Sequence, residues 1–249
     1  MNRCSQPSWF SLKEWPKNVR DREAYVDPIF TTIAAKYDFM TRVLSFGQER
    51  RWKTRVVRLI PKNGSLERIL DLASGTGEFP LLLRHAGLEA QIIGLDRNPT
   101  MLGVARQKCA RQPEINFIQG DLMQIPFKDH SFDVITMGYG LRYVVDIRQT
   151  LQEVFRLLRS GGRFVSLEFG VPNNHFYRRI CFAYLLLLGS FWGVVLHRKG
   201  DTYWHIVESL KAYPGQETVG KWLKDAGFGK VEVREQLGGI ITILSGTRP

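Results

Sequence analysis

From Arg68 onward, short apolar runs alternate with segments whose apolar residues recur every three to four positions. The runs predict seven strands, and the periodic segments predict helices between them. The predicted strands cover 68–73, 91–96, 115–119, 132–137, 163–169, 230–235 and 240–245, and the predicted helices cover 78–85, 99–112, 147–158 and 218–225. This alternation is typical of βα crossovers, so we expect an α/β, Rossmann-like fold with a doubly wound, mostly parallel seven-stranded sheet.

Two stretches lie outside this alternation. Residues 1–60 are rich in polar and aromatic residues and end in a basic helix predicted over 48–59, so we expect an N-terminal helical cap. Residues 172–212 interrupt the core after the fifth strand and contain an uncharged run over 180–196. We therefore expect one domain, in which residues 61–249 form the core with this insertion and the cap belongs to the same unit.

The composition narrows the classes of partner. The chain has 249 residues and a net charge of +11, which favours anionic partners, either nucleic acid or the acidic face of a bilayer. Cys4, Cys109 and Cys181 are far apart in sequence, so neither a disulfide framework nor a thiolate zinc site is expected. The histidines show no paired spacing, and we expect no metal. The N-terminal residues lack the apolar run of a secretory signal, although a short organellar transit segment is not excluded.

The segment LDLASGTGEF, residues 70–79, joins the first predicted strand to the first predicted helix. Gly75 and Gly77 allow a sharp turn and a close approach of the backbone to a ligand. The second strand ends in Asp96, whose carboxylate can accept hydrogen bonds from both hydroxyls of a ribose. The third strand is followed by Asp121, which can meet the amine of an adenine. Together these positions predict a nucleoside-containing ligand, against the alternative of a structural turn with incidental acids.

A dinucleotide is the first rival ligand. The turn lacks the third glycine of the dinucleotide fingerprint, and Glu78 places a negative charge at the helix N-terminus, where a pyrophosphate needs positive potential. S-adenosylmethionine contains no phosphate. The sequence therefore favours S-adenosylmethionine, and with it a methyltransferase.

Other stretches are more specific than the glycine turn. They read YDFM at 37–40, SFG at 45–47, RWK at 51–53, IPFKDHSFDVITMGYGLR at 125–142 and YWHIVESL at 203–210. In these stretches the chain resembles the ubiquinone/menaquinone C-methyltransferase family, over almost its whole length. The resemblance implies that Thr76, Asp96 and the Asp121–Leu122 pair contact S-adenosylmethionine, and that the acceptor is a polyprenylated quinol. The residues predicted to bind the cofactor are Asp71, Gly75, Thr76, Gly77, Asp96, Asp121, Leu122 and Gly138.

The chain departs from the family pattern at three positions of the predicted site. The family usually has serine where Gly138 stands, and asparagine where Tyr143 and commonly Thr41 stand. We expect the change at Gly138 to weaken cofactor binding modestly, because a neutral hydrogen bond contributes about 0.5–1.5 kcal/mol. Tyr143 and Thr41 are expected in the acceptor pocket, so they leave the identity of the acceptor open.

The predicted catalytic residues are Tyr139, Arg142 and Glu168, at the carboxyl ends of strands, where open α/β sheets bind their ligands. Arg142 can stabilise a phenolate or orient a water molecule, with a surface ion pair as the alternative. Glu168 can accept a hydroxyl proton, or it is a buried carboxylate bonded to backbone amides. Tyr37 and Asp38 belong either to a lid or to a cap packed on the core.

The uncharged run over 180–196 is at the short end of what can span a bilayer, and its basic flanks are Arg178, Arg179, Arg198 and Lys199. Core strands precede and follow it, so we reject a spanning segment. We expect a hydrophobic flap that lies on an anionic membrane surface, and the alternatives are a buried helix hairpin and a homodimer contact.

The predicted function is methyl transfer to a polyprenylated quinol, with demethylmenaquinol favoured as the acceptor. The alternatives are the ubiquinone-pathway benzoquinol, another small aromatic or isoprenoid acceptor, and a non-catalytic subunit of a quinone-synthesis assembly. A nucleic-acid methyltransferase is disfavoured, because the chain lacks an Asn/Asp-Pro-Pro-Tyr motif and an appended RNA-binding module. We expect a cytoplasmic protein associated with the inner face of the membrane.

Overall fold

The structure is a computed structural model that describes residue 16, residues 19–61 and residues 66–249. Cys4 and the start of the predicted cap lie outside the described residues.

The described strands form one seven-stranded sheet in the order β3-β2-β1-β4-β5-β7-β6. The strands are β1 Arg68–Leu72, β2 Gln91–Asp96, β3 Ile115–Gln119, β4 Phe132–Gly138, β5 Leu158–Phe169, β6 Gly229–Gln236 and β7 Ile241–Thr247. The pairs among β1 to β5 are parallel, and β7 runs antiparallel to both β5 and β6. The predicted seven-stranded, mostly parallel sheet is confirmed.

Helices cover both faces of this sheet. The described helices are α1 Val19–Ile33, α2 Tyr37–Leu44, α3 Glu49–Arg58, α4 Glu78–His85, α5 Pro99–Lys108, α6 Ile147–Leu157, α7 His175–His197, α8 His205–Ala212 and α9 Gln216–Asp225. Leu70 and Leu72 of β1 pack in a cluster with α6 and α9, whereas Ile69, just before them, packs with α3 and α4. Successive side chains of a strand point to opposite faces, so a strand that is apolar throughout is buried on both sides.

Several boundaries differ from the prediction: α5, expected to continue to residue 112, ends at Lys108, and β5, expected from residue 163, begins at Leu158. The helix expected to continue to Leu158 ends at Leu157, and Leu158 already pairs with Phe132 of β4. Gly161, with a φ of +77°, then turns the chain, and its N–H donates to the carbonyl of Arg248 at 2.8 Å. The predicted stop at 160–162 is therefore a turn within β5, because Leu158 is buried against the sheet before the turn begins.

The insertion contains two helices, α7 and α8, and the uncharged run over 180–196 lies entirely within α7. The run therefore does not itself form a helix hairpin. Gly189 and Gly193 permit close packing instead of breaking the helix: a Cβ on Gly193 would be 2.5 Å from the carbonyl oxygen of Lys199, and one on Gly189 would be 3.0 Å from the Cβ of Tyr203. The face of α7 that contains both glycines therefore packs directly on the chain that follows it.

Within the described residues, α7 is the helix that is long and apolar enough to cross a membrane by length and composition. One face of it, including Leu185, packs into a buried cluster with Ile33 and Met40 of the cap and Leu210 of α8. The cap and the insertion thus share a core above the carboxyl ends of the strands.

Candidate active site

The turn after β1 is tied directly to the end of β2. The N–H of Gly75 donates to Oδ2 of Asp96 at 2.7 Å, and Oδ1 of Asp96 accepts from the N–H of Asn98 at 2.9 Å. Gly75 has a φ of +54°, a conformation that favours glycine. Burial raises the pKa of Asp96, while the two amide hydrogen bonds favour its ionised form. The carboxylate is thereby fixed at the edge of the cavity described next.

An elongated cleft, the outer cavity, lies at the carboxyl ends of β1, β2, β3 and β4 and has about 850 Å³ of empty space. Five residues predicted to bind the cofactor line it: Gly75, Asp96, Asp121, Leu122 and Gly138. The convergence of these residues fits a nucleoside-containing ligand, because the carboxylates of Asp96 and Asp121 line the same cavity as the glycine backbone at positions 75 and 138.

Asp71, Thr76 and Gly77 are not among the residues that line the outer cavity. Oδ1 of Asp71 accepts from Thr136 Oγ1 at 2.7 Å beneath the turn, and burial raises its pKa to about 7. A Cβ on Gly77 would be 2.8 Å from Phe117 Cζ, so glycine is needed there for packing. Asp71 and Gly77 therefore support the turn from the side away from the outer cavity, whereas Thr76 contacts the cap.

The cap is bonded to the core across this turn. Thr76 Oγ1 donates to Asp38 Oδ1 at 2.5 Å, and the other oxygen of Asp38 pairs with Lys108. At the far side, Asn98 Nδ2 donates to Thr31 Oγ1 of α1 at 2.9 Å. These contacts place α1 and α2 over the outer cavity. They fit both expectations for Tyr37 and Asp38, a lid and a cap packed on the core, because a packed cap can also enclose a ligand.

The charge of Glu78 is neutralised in the structure. Its carboxylate forms an ion pair with the buried ammonium of Lys53. At this helix N-terminus Glu78 therefore repels a pyrophosphate less than the sequence indicated, but the third glycine of the dinucleotide fingerprint is still missing.

A second, inner cavity adjoins the outer one and has about 520 Å³ of empty space. The two share four aromatic side chains, which are those of Phe30, Tyr37, Tyr139 and Tyr143. The remaining residues that line the inner cavity are Ile33, Met40, Thr41, Leu44, Ser45, Trp52, Arg142, Phe169, Tyr203, His205 and Ile206. Thr41 and Tyr143, which we expected in an acceptor pocket, both line it.

Arg142 and Glu168 form a buried ion pair on the wall of this cavity. Glu168 also accepts hydrogen bonds from the N–H groups of Phe169 at 2.9 Å and Arg142 at 3.2 Å. Burial by itself would lower the pKa of Arg142, but the carboxylate of Glu168 raises it above its ordinary value. The surface-arginine alternative is therefore wrong, and Glu168 matches the alternative of a buried carboxylate bonded to backbone amides.

The guanidinium of Arg142 has further partners that fix its plane. Nε donates to Ser209 Oγ at 3.2 Å, Nη1 to the carbonyl of Tyr139 at 3.2 Å, and Nη2 to the hydroxyl of Tyr143 at 3.1 Å. It also lies 5.0 Å from the centroid of the Phe169 ring. Tyr139 has a φ of +57°, a strained conformation for a side chain of this size. The site thus holds a buried, fully oriented cation beside an aromatic cavity.

His205 is the residue of the inner cavity whose role the sequence did not suggest. It lies within the stretch 203–210 that carried the resemblance, but its spacing from the other histidines indicated nothing. Only the three-dimensional structure shows that its imidazole is buried beside Arg142. Among the described residues, no group of three or more potential ligands is placed to hold a metal ion.

The ubiE/COQ5 methyltransferase family matches residues 18–248 of the chain. The chain belongs to that family. It is 36% identical, over 89% of its length and 100% of the relative, to the demethylmenaquinone methyltransferase of Thermus thermophilus. It is 34% identical, over 96% of its length and 95% of the relative, to the ubiquinone/menaquinone biosynthesis C-methyltransferase UbiE of Azotobacter vinelandii.

A solved structure shares the fold. It is a SAM-dependent methyltransferase of Thermotoga maritima, described as a possible histamine N-methyltransferase, with a TM-score of 0.62 and 19% identity over 90% of this chain and 99% of that one. Family membership makes the chain an S-adenosylmethionine-dependent methyltransferase. The recognised family, the fold and the cofactor are thus confirmed.

Proposed function

We propose that this enzyme methylates a ring carbon of a polyprenylated quinol, with demethylmenaquinol as its acceptor and menaquinol as its product. One observation carries the proposal: a cavity at the strand ends, lined by the carboxylates of Asp96 and Asp121, adjoins an aromatic cavity that contains a buried, oriented cation. The first cavity suits S-adenosylmethionine, and the second suits a flat ring with an ionisable hydroxyl. Relatives that match nearly the whole chain bear names that specify quinone methylation.

In this proposal the outer cavity holds the methyl donor. Asp96 accepts hydrogen bonds from ribose hydroxyls, Asp121 meets the adenine amine, and the backbone at Gly75 and Gly138 lies along the ligand. When bound, S-adenosylmethionine supplies an activated methyl group, and methylation of the quinol then releases one proton. The chain's own contribution is to hold the two partners in line and to exclude water under the cap.

Arg142 stabilises negative charge on the acceptor oxygen. Its guanidinium stays ionised, and a fixed charge in a buried site acts more strongly than one in water. Glu168 is a positioning residue here, because both of its oxygens are already bonded to Arg142 or to backbone amides. Tyr139, which lines both cavities, separates the donor site from the acceptor site.

The acceptor's prenyl chain requires access from a membrane, and we propose that one exposed face of α7 lies on it. The exposed apolar residues of this face are Phe176, Ile180, Leu187, Phe191 and Val194. Phe39 of α2 packs edge-on against Trp192, and Phe46 in the turn after α2 lies against Tyr184, so that both residues extend the same apolar surface. We name these seven exposed residues the apolar face.

Charge and geometry favour a bilayer over a second copy of the chain as the occupant of the apolar face. Arg179, Arg198 and Lys199 are exposed at the two ends of α7, where they can meet anionic headgroups. Phe39 of α2 and Phe46 of the turn after it point outward, whereas Met40, Thr41 and Leu44 of α2 line the inner cavity. A short path therefore separates the apolar face from the proposed acceptor site.

The function is tested by incubating the enzyme with labelled S-adenosylmethionine and each candidate acceptor, reduced and kept anaerobic in detergent. We expect label in the naphthoquinol and much less in the benzoquinol. Transfer to the benzoquinol alone would identify the benzoquinol as the acceptor in place of demethylmenaquinol. Transfer to a water-soluble phenol but to neither quinol would overturn the proposal.

A further inference from the structure

His205 lies in an aromatic surround at the wall of the inner cavity and is only 3% exposed. The centroid of its ring is 5.9 Å from those of Phe30 and Tyr143 and 6.4 Å from that of Tyr203. None of the roles assigned above uses this imidazole. Because it lies beside the proposed acceptor ring, the protonation of its two nitrogens decides which hydrogen bonds it can form with that ring.

The tautomer of His205 follows from a single contact. Nδ1 lies 2.9 Å from the carbonyl oxygen of Thr202, and a carbonyl oxygen can only accept a hydrogen bond. Nδ1 therefore carries the proton, and Nε2 presents a lone pair. Burial, assisted by the positive charge of Arg142, lowers the pKa of His205 to about 3, so the ring is neutral at physiological pH.

We infer that Nε2 of His205 accepts a hydrogen bond from a ring hydroxyl of the acceptor and thereby makes the inner cavity prefer the reduced quinol over the oxidised quinone. This inference rests on the proposed function. A quinol hydroxyl can donate to the lone pair of Nε2. A quinone carbonyl cannot, and its own lone pairs would face that nitrogen.

The other polar groups near this wall discriminate less between the two redox states. Arg142 is a donor and can bind a quinone carbonyl as well as a quinol oxygen. The hydroxyl of Thr41 donates to the carbonyl of Asp38 at 3.0 Å and that of Ser45 to the carboxylate of Glu49 at 2.6 Å, but either hydroxyl can rotate away from that partner to donate to a ligand. A neutral imidazole with its proton already engaged lacks this freedom, so His205 supplies the selectivity. Such selectivity suits the chemistry, because only the electron-rich quinol ring can be methylated.

The test compares the binding of both redox states with and without His205. Wild-type protein and the variants His205→Phe and His205→Gln are titrated anaerobically with 1,4-naphthoquinol and 1,4-naphthoquinone bearing one prenyl unit. S-adenosylhomocysteine is present, so no methyl group can be transferred.

We expect wild-type protein to bind the quinol about tenfold more tightly than the quinone, a difference that one hydrogen bond can supply. In His205→Phe this preference should fall to about threefold or less, through weaker quinol binding and no loss of quinone affinity, whereas His205→Gln, whose amide oxygen can accept, keeps part of it.

A preference that survives intact in His205→Phe would overturn the inference while leaving the proposed function in place. Failure of the wild-type protein to bind either form would instead overturn the proposed function, and the inference with it. A second measurement uses wild-type protein alone and covers the case in which the variants fail to fold. In protein labelled with ¹⁵N-histidine, the quinol should shift the Nε2 resonance of His205 and the quinone should not; equal responses to both would overturn the inference.

Discussion

A Cβ atom built on Gly138 would lie 2.3 Å from Cε2 of Phe79. Gly138 ends β4 at the outer cavity, and Phe79, in the first turn of α4, is buried in a cluster with Trp52 and Tyr139. The serine expected at position 138 from the family pattern cannot be placed there without moving this ring. The departure at Gly138 is therefore coupled to Phe79, and it is not the isolated loss of a cofactor contact.

This coupling predicts that Gly138→Ser destabilises the protein by about 1–3 kcal/mol, the usual cost of overpacking a filled site. Phe79→Leu should remove most of the additional cost in the double variant, giving a favourable coupling energy in a double-mutant cycle of denaturant unfolding. Gly103→Ser is the matched control, since no atom lies within 4 Å of the Cβ it would add. The coupling is refuted if Gly138→Ser and Gly103→Ser prove equally stable.

The donor site can be tested at Asp96. Asp96→Asn keeps the size of the side chain but removes a charged acceptor, and a hydrogen bond to a charged group contributes about 1.5–3 kcal/mol. Calorimetry should show S-adenosylmethionine affinity reduced by about tenfold or more. Asp129→Asn, an exposed carboxylate paired with Arg156 away from both cavities, serves as the control. An unchanged dissociation constant in a folded Asp96→Asn protein would remove Asp96 from the site.

Asp71 predicts a pH dependence of stability. Its folded-state pKa is raised to about 7 from an ordinary 3.8, so the fold favours the protonated form, and stability is lost as pH rises between these values. Asp71→Asn lacks this titration. Relative to wild type, the variant should therefore gain free energy of unfolding between pH 4 and pH 8, by up to about 4 kcal/mol. Parallel stability curves over this range would show that the carboxyl group does not titrate abnormally.

Binding to vesicles tests the apolar face. Wild-type protein should co-sediment more with anionic than with neutral vesicles, and salt should weaken the binding. Binding should decrease in Leu187→Ser/Phe191→Ser and in Arg179→Gln/Arg198→Gln/Lys199→Gln. The control Lys221→Gln/Lys224→Gln/Lys230→Gln removes the same charge elsewhere on the surface. If lipid composition has no effect and the wild type sediments as a dimer that Leu187→Ser/Phe191→Ser dissociates, the apolar face is a dimer contact.

The sequence predicted the sheet well because most strands contain a short apolar run bounded by a turn, as in 91–96. It predicted Gly75, Asp96 and Asp121 in one cavity because parallel strands end at a common edge. It could not place Asp71 or Gly77 behind that cavity, since the difference depends on contacts with Thr136 and Phe117, which are distant in sequence.

The inner cavity was harder to predict for the same reason. Its wall combines residues of α1, α2, α8 and the turn after β4, and no local pattern indicates that these segments meet. The sequence singled out Arg142 and Tyr143 there, but not His205. An imidazole acquires its tautomer and lowered pKa from Thr202 and from burial, neither of which is visible in the spacing of histidines.

The pairing of Arg142 with Glu168 changes the way in which the role of Arg142 must be tested. Arg142→Ala alone leaves a carboxylate buried without its partner, which typically costs about 3–5 kcal/mol, so loss of activity in that variant would not separate catalysis from unfolding. The double variant Arg142→Gln/Glu168→Gln removes both charges and keeps polar groups of similar size.

We expect this double variant to unfold at higher denaturant concentration than Arg142→Ala, and to bind S-adenosylmethionine nearly as wild type does. Its turnover should nevertheless fall by about a hundredfold or more, because the charge facing the developing phenolate is gone. Arg148→Gln, an exposed arginine stacked on Trp222, provides the control for loss of an arginine. If the double variant retained wild-type turnover, Arg142 would have a structural role only.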